Sequence, residues 1–326
     1  MYDERYATTR RLTIEKPICF DAPVDGVSTL LKTPDTDQKI AEGGLRLQGL
    51  YKTHSENRPL ITVITVVYNG ADYLEDTIKS VIGQTYDHVE YIIVDGGSKD
   101  GTLEIIRQYE HAIDYWVSEP DKGMYDGLAK GFQTASGTLI CYLNAGDFYL
   151  KETLLTVSEI YKDTGFIWFT GLRSVCNERN VITGVDLPFR YKKELIRKGF
   201  YGKLLPFIQQ ESTFWHKKML ADLDFDAFRT LKLAGDYFLW FSFSKKSDLV
   251  VVKAQLGVFK IHGGQLSESL DCYWREVNSF KERSKTWTLF SYIHELFFWV
   301  LSPGVRKYFF KIWCYYDSIL NKWIVK

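Results

Sequence analysis

The sequence predicts an α/β fold, a mostly parallel central sheet flanked by helices with a helical C-terminal extension. Three observations lead there. Continuous β-branched runs such as Leu60 to Val67 suit strands covered on both faces. Between these runs, apolar residues recur at helical spacing with short connections, which implies right-handed parallel crossovers. Gly- and Asp-rich closings follow the runs, and open parallel sheets bind ligands outside the carboxyl ends of their strands.

Residues 1–58 hold three of the eight prolines and show no sustained periodicity, so they read as a loop-rich N-terminal arm. Within it, Glu42-Gly43-Gly44-Leu45-Arg46 is a glycine turn with a basic residue. The pattern changes at Pro59. Leu60 to Val67 is the first strand, and Leu74, Ile78, Val81 and Ile82 mark a helix ending near Gly83. Tyr91 to Val94 is the second strand, closed by Asp95-Gly96-Gly97-Ser98. Asp100 is placed to cap the next helix, whose stripe is Leu103, Ile106 and Tyr109. Ile113 to Val117, a helix through Met124, Leu128 and Phe132, and Thr138 to Leu143 complete the alternation. Beyond it stand a helix near 151–162 and a strand at Phe166 to Phe169, then irregular segments. A strand Ser212 to His216, a helix 233–244 and strands near 249–252 and 256–261 follow. Residues 271–326 read as helical and rich in aromatics.

Composition excludes several classes. With 326 residues, 45% hydrophobic and 25% charged, the chain is long enough for a full core and is not a low-complexity or disulfide scaffold. Lys+Arg and Asp+Glu both number 41, so no global basic field collects nucleic acid. The five scattered cysteines lack metal-ligand spacing and read as small buried residues. The charged N-terminus has no apolar run behind it, and nowhere do about 18 apolar residues follow one another. The expectation is a cytoplasmic protein, at most peripheral on the inner face of the cytoplasmic membrane.

Three carboxylates fall at strand or helix ends: Asp95 after the second strand, Asp147 after the fourth, and Asp236 opening the helix of Ala234-Gly235-Asp236-Tyr237. The expectation is that all three face one crevice. A carboxylate there can receive a base or ribose, or hold a divalent cation against a diphosphate. The bland alternative is that each caps a turn or helix.

The ordered motifs Ile64-Thr65-Val66-Val67-Tyr68-Asn69, Asp95-Gly96-Gly97-Ser98-Lys99-Asp100-Gly101-Thr102, Asp121-Lys122-Gly123-Met124-Tyr125-Asp126-Gly127 and Leu143-Asn144-Ala145-Gly146-Asp147 resemble the family 2 glycosyltransferases. These are inverting enzymes of the GT-A nucleotide-diphospho-sugar fold. The resemblance covers about 59–265 and is greatest to the bacterial O-antigen and capsule branch. It implies a GT-A catalytic domain at 59–270, with a nucleotide-binding half (59–147) and an acceptor half (148–270). The implied substrates are a nucleotide-sugar donor, a UDP-sugar, and a glycan acceptor that is lipid-linked.

The resemblance also implies roles. Thr65, Val67, Asn69, Gly97 and Asn144 would line the nucleotide-sugar pocket, and Asp95 would accept a hydrogen bond from uracil or ribose. Lys122 would lie near the phosphates. Asp147 would hold Mg2+ or Mn2+, with His262 at metal or pyrophosphate. Asp236 would be the general base, and Gln210, Glu211 and Ser212 would shape the acceptor side. The chain departs from the family at Gly146, where a second acid is usual, and at Ala129, where Asn is usual. A sugar-1-phosphate nucleotidyltransferase would carry a basic, glycine-rich loop after its first strand, and Tyr68-Asn69-Gly70 is not one. A non-catalytic nucleotide-sugar-binding protein is the other alternative, discriminated by release of UDP.

In the C-terminal region Trp287, Phe290, Phe297, Phe298, Trp299, Tyr308, Phe309, Phe310, Trp313 and Trp323 interleave with Arg306, Lys307, Lys311 and Lys322. Such helices seek membrane surfaces, or else pack on the protein or form a homodimer interface.

Overall fold

A computed structural model describes residues 4–325 apart from 54, 56, 264, 266–268, 284–285, 302–304 and 306–312. Of the C-terminal aromatic and basic residues singled out above, Arg306, Lys307, Tyr308, Phe309, Phe310 and Lys311 lie outside the described residues, as does the side chain of Trp287.

The N-terminal region contributes short strands β1 (Leu12–Thr13), β2 (Ala41–Gly43) and β3 (Tyr51–Lys52). The alternation follows as β4 (Ile61–Val67), α1 (Ala71–Ile82), β5 (Val89–Asp95), α2 (Thr102–Gln108), β6 (Tyr115–Ser118), α3 (Met124–Thr134), β7 (Leu139–Asn144) and α4 (Thr153–Thr164). Next come β8 (Trp168–Thr170), β9 (Arg173–Cys176), β10 (Ile182–Asp186), α5 (Lys193–Arg197), β11 (Thr213–His216), α6 (Phe225–Thr230) and α7 (Gly235–Phe243). The chain continues with β12 (Val250–Val252), β13 (Phe259–Lys260), α8 (Leu270–Phe280), α9 (Thr286–Val300), β14 (Trp313–Asp317) and β15 (Lys322–Val325). It divides into two compact units, Met1–Ser158 with Trp215–Lys232, and Glu159–Phe214 with Leu233–Lys326.

In the first unit β7, β4, β5 and β6 are parallel neighbours in that order, as the short crossovers require. β2 pairs antiparallel with β6, and Trp215–His216 of β11 pairs antiparallel with β7. Every residue of β4 and β5 is buried, which explains the unbroken β-branched composition of β4. α3 lies so close to β4 that a Cβ at Gly131 would come within 2.5 Å of the Ile64 side chain; only glycine permits that approach. Phe132 and Tyr142 meet Trp215 edge-on, with centroids at 5.9 and 6.2 Å.

The N-terminal arm is stapled to this sheet by buried charge. Arg46 reaches Glu90 at 2.6 Å, and Lys52 reaches Asp114 at 2.9 Å. Burial alone would raise the Glu90 carboxyl, but Arg46, Ser136 and Thr62 hold it below its usual range. For Asp114 burial outweighs Lys52 and pushes it up to about 6.

In the second unit β8, β12 and β14 are parallel, with β15 antiparallel on β14. β9 and β10 form an antiparallel hairpin, with β13 parallel to β9. α7 is buried almost throughout, and its Trp240 stacks on Trp168 at 6.0 Å. One expectation is corrected here: residues 271–326 are not helical throughout. α8 and α9 are helices, but Trp313–Asp317 and Lys322–Val325 are strands. β12 would otherwise present unpaired amides and carbonyls, and the β-prone run Trp313-Cys314-Tyr315-Tyr316 satisfies them.

Candidate active site

In the first unit the carboxyl ends of four strands lie side by side. Register sets Val67 opposite Asp95 and Val66 opposite Asn144, while Asp95 faces Ser118 on β6. Sequence reading placed Thr65, Val67, Asn69, Asp95, Gly97 and Asn144 at this end, and the structure brings their backbones together.

Asp95 is fully buried and holds the turn that follows it. The Ser98 amide donates to its two oxygens at 3.3 and 3.1 Å, the Ser98 hydroxyl donates to Oδ1, and Ser118 Oγ donates to Oδ2 at 2.5 Å. Asn69 adopts φ +49°, which Asn tolerates better than most residues. Its amide donates to Ser98 Oγ at 2.7 Å, and its Oδ1 accepts from the Lys99 amide at 2.9 Å. Gly97, at φ +81°, would bring a Cβ to 3.1 Å from the Pro120 nitrogen, so this turn needs glycine twice over.

The loop 120–127 packs on that turn. Asp121, which sequence reading passed over although it opens a quoted motif, accepts from the Gly123 amide at 2.8 Å, and its other oxygen lies beside Gly96 and Gly127. Burial raises its carboxyl, and the charges of Asp126 and Asp95 add to the effect. Lys122 is exposed; its amide donates to Asp126 Oδ2 at 3.1 Å, and its carbonyl accepts from Lys232 Nζ. Arg229 Nη1 donates to the other oxygen of Asp126 at 2.6 Å, so this acid is spent on holding the loop.

Asp147 ends a turn after β7 that α1 fixes. Thr77 Oγ1 donates to the Asp147 carbonyl at 2.8 Å and accepts from the Gly146 amide at 2.9 Å. Asn144 Oδ1 is buried with no hydrogen-bond partner. Among the described residues no three His, Cys, Asp or Glu side chains form a metal-holding group. Carboxylate and amide oxygens, the donors that Asp147 and Asn144 carry, are of the kind a hard divalent cation accepts.

The remaining predicted residues belong to the second unit. Gln210, Glu211 and Ser212 form one buried 3-10 turn entering β11. Ser212 Oγ donates to the Leu172 carbonyl at 2.9 Å, and Gly257 presses on the Glu211 carbonyl. His262 sits in a turn, its Nδ1 3.0 Å from the Gly263 carbonyl and its amide donating to Gln265 Oε1 at 3.2 Å. Gly264, within the same motif, lies outside the described residues.

Asp236 is the second residue of α7, whose N-cap position is Ala234. Glu276 of α8 holds the chain entering the helix: its Oε2 accepts from the amides of Leu233 and Ala234 at 2.9 and 2.8 Å. Asp236 Oδ1 accepts from its neighbour's amide, Tyr237, at 2.7 Å and from Tyr273 Oη at 3.1 Å. Burial pushes this carboxyl up to about 6, against the two hydrogen bonds and with the charge of Glu276. The bond to Tyr237 serves a first-turn amide of α7, as the bland alternative has it, and a half-buried carboxylate raised toward neutrality also has the property a general base needs. No sequence signal pointed to Tyr273 or Glu276, which lie a helix away in the chain.

The family model for glycosyl transferase family 2 matches residues 62–222. An uncharacterized glycosyltransferase of Mycobacterium tuberculosis is 41% identical over 182 residues, 51% of this chain, and this chain spans 64% of that relative's length. TuaG of Bacillus subtilis, a glycosyltransferase named for teichuronic acid biosynthesis, is 27% identical over 74% of this chain and 91% of its own. Among solved structures, S. aureus TarS 1-349 in complex with UDP-GlcNAc aligns with a TM-score of 0.52 at 15% identity, over 76% of this chain and 69% of that one. Mannosyltransferase PcManGT of Pyrobaculum calidifontis, in complex with GDP-Man and Mn2+, aligns with a TM-score of 0.51 at 16% identity, over 70% and 66%. At such identity these two speak for the fold alone, and that fold is GT-A. Residues 62–222, with the parallel sheet beneath their motifs, are a glycosyltransferase family 2 domain.

Proposed function

We propose that the chain is an inverting hexosyl- or N-acetylhexosaminyltransferase. It moves a sugar from a UDP-sugar to a hydroxyl of a lipid-linked glycan acceptor, in surface polysaccharide biosynthesis of the O-antigen or capsule kind. The observation that carries this reading is Asp236, set at the start of α7 with Tyr273 on one oxygen and raised to about 6 by burial. Asp236 takes the proton of the acceptor hydroxyl while that oxygen bonds to the anomeric carbon. The carbon–oxygen bond to the diphosphate breaks, its electron pair leaving on UDP, and the configuration inverts.

Thr65, Val67, Asn69 and Gly97 receive the nucleotide on a turn that Asp95 keeps in shape. Lys122 offers positive charge to the phosphates, and Gln210, Glu211 and Ser212 shape the acceptor side. Asp147 and Asn144, with His262 as a further donor to metal or pyrophosphate, would hold Mg2+ or Mn2+. When bound, the cation neutralises charge on the departing diphosphate. PcManGT with GDP-Man and Mn2+, TarS with UDP-GlcNAc and the name of TuaG support these choices.

Gly146, in place of the second acid, favours a second reading: a nucleotide-sugar-binding protein without turnover. One assay separates the two. With UDP-sugar, Mn2+ and a membrane extract as acceptor source, the wild-type chain should release UDP. Asp236→Asn should lose about 10²–10⁴-fold in turnover while keeping the donor-induced rise in Tm. Wild-type chain that is stabilised by donor but releases no UDP establishes the second reading; an unimpaired Asp236→Asn removes the base assignment.

A further inference from the structure

The second unit carries a surface that transfer chemistry does not use. One side of α9 is fastened down. Tyr292 meets Phe200 at 5.1 Å, Phe298 stacks on Phe189 at 5.7 Å and Trp299 meets Tyr191 at 5.6 Å. Glu295 is fully buried between Arg190 Nε at 3.0 Å and Lys192 Nζ at 2.7 Å. At about 100° per residue these four positions occupy one half of the helix. The other half turns outward Phe290 (62% exposed), Ile293 (54%), Phe297 (58%) and Val300 (74%), with Leu296 at their edge.

Charge decides what fits this face. From Arg275 to the end of the sequence there are nine Lys or Arg against four Asp or Glu. The acids are engaged internally: Glu276 on the amides of Leu233 and Ala234, Glu282 with Arg197 at 3.0 Å, Glu295 as above, and Asp317 on the amides of Ile319 and Leu320. Arg283 precedes the helix in sequence, and Arg306, Lys307 and Lys311 follow it. An apolar helix face with basic residues beyond both ends suits an anionic bilayer, whereas a second copy would bring like charges together. With 15 residues α9 cannot span a bilayer, and no described helix is long and apolar enough to cross one.

We propose that α9 lies flat on an anionic lipid surface. Ile293, Phe297 and Val300 enter the boundary between headgroups and acyl chains, and the basic excess of the C-terminal sequence adds attraction to lipid phosphates. This deepens the reading of a lipid-linked acceptor, but its test measures binding rather than transfer, so the two can fail separately. Truncation before α9 would also strip β14 and β15 from the sheet, so point changes at exposed positions are the cleaner probe.

The full chain is floated with phosphatidylglycerol/phosphatidylcholine vesicles and with phosphatidylcholine alone. It should float with the first and bind the second about tenfold or more weakly, and 0.5 M salt should weaken the anionic binding, a salt level at which the Debye length falls to about 4 Å. Ile293→Ser with Phe297→Ser should keep the wild-type Tm and lose vesicle affinity by about tenfold or more. The proposal is overturned if the wild-type chain stays below the anionic vesicles, or if the folded double variant floats as well as wild type. It is equally overturned if light scattering finds a dimer that the double variant abolishes while vesicles go unbound.

Discussion

In the first unit Glu90 is enclosed by Arg46, Thr62 and Ser136, Asp114 by Lys52 and the Tyr91 amide, and Asp95 by Ser98 and Ser118. In the second, Asp236 meets only neutral donors among the groups that shift it, with Glu276 as a neighbouring like charge. Asp114 and Asp236 are nonetheless both raised to about 6 by burial. A displaced pKa therefore does not by itself mark function. What separates the two is the company: a cation of the same chain for Asp114, and a tyrosine hydroxyl on one oxygen for Asp236.

If that contrast is right, changes in the two units should register in different measurements. Asp236→Asn should give the largest effect, the loss of turnover described above, with urea stability held or slightly raised because a charge no longer has to be buried. Arg46→Met should do the reverse. It leaves Glu90 buried without its guanidinium, costing about 3–5 kcal/mol in equilibrium unfolding. An unchanged midpoint would show that the arm is not stapled by this pair. Ser118→Ala removes one hydrogen bond to the buried Asp95 carboxylate. We expect about 1.5–3 kcal/mol of stability and weaker donor binding by titration calorimetry; a stability loss with undiminished donor affinity would detach Asp95 from the nucleotide turn.

The smallest effect sharpens the comparison most. A base with a pKa near 6 makes turnover rise with pH below about 6 and level off above it, because only the ionised carboxylate accepts the proton. Tyr273 Oη favours that ionised form, so Tyr273→Phe should move the break upward by about half a unit to one unit. A break that stays put, or moves down, would mean that this hydroxyl does not tune Asp236.

Much of the first unit was legible because its signals are local. The strands at 61–67, 89–95 and 139–144 follow from short apolar runs, and α1 from the spacing of Leu74, Ile78, Val81 and Ile82. The β9–β10 hairpin is not legible in the sequence although Asn180, at φ +60°, marks its turn, because its exposed second strand carries no clear alternation. The C-terminal strands read as helix from sequence because a dense aromatic run satisfies either period.

Sequence by itself determined the order of strands and helices through residue 144, the motif residues at the strand ends and the presence of Asp236 at a helix start. Only the tertiary structure decided that Glu276 holds the chain entering that helix, that Tyr273 comes to Asp236 across 37 residues and that burial lifts the carboxyl toward neutrality. Periodicity and turn chemistry act between near neighbours in the chain. Desolvation and charge pairing depend on which distant surfaces close over a group, and no local pattern encodes that.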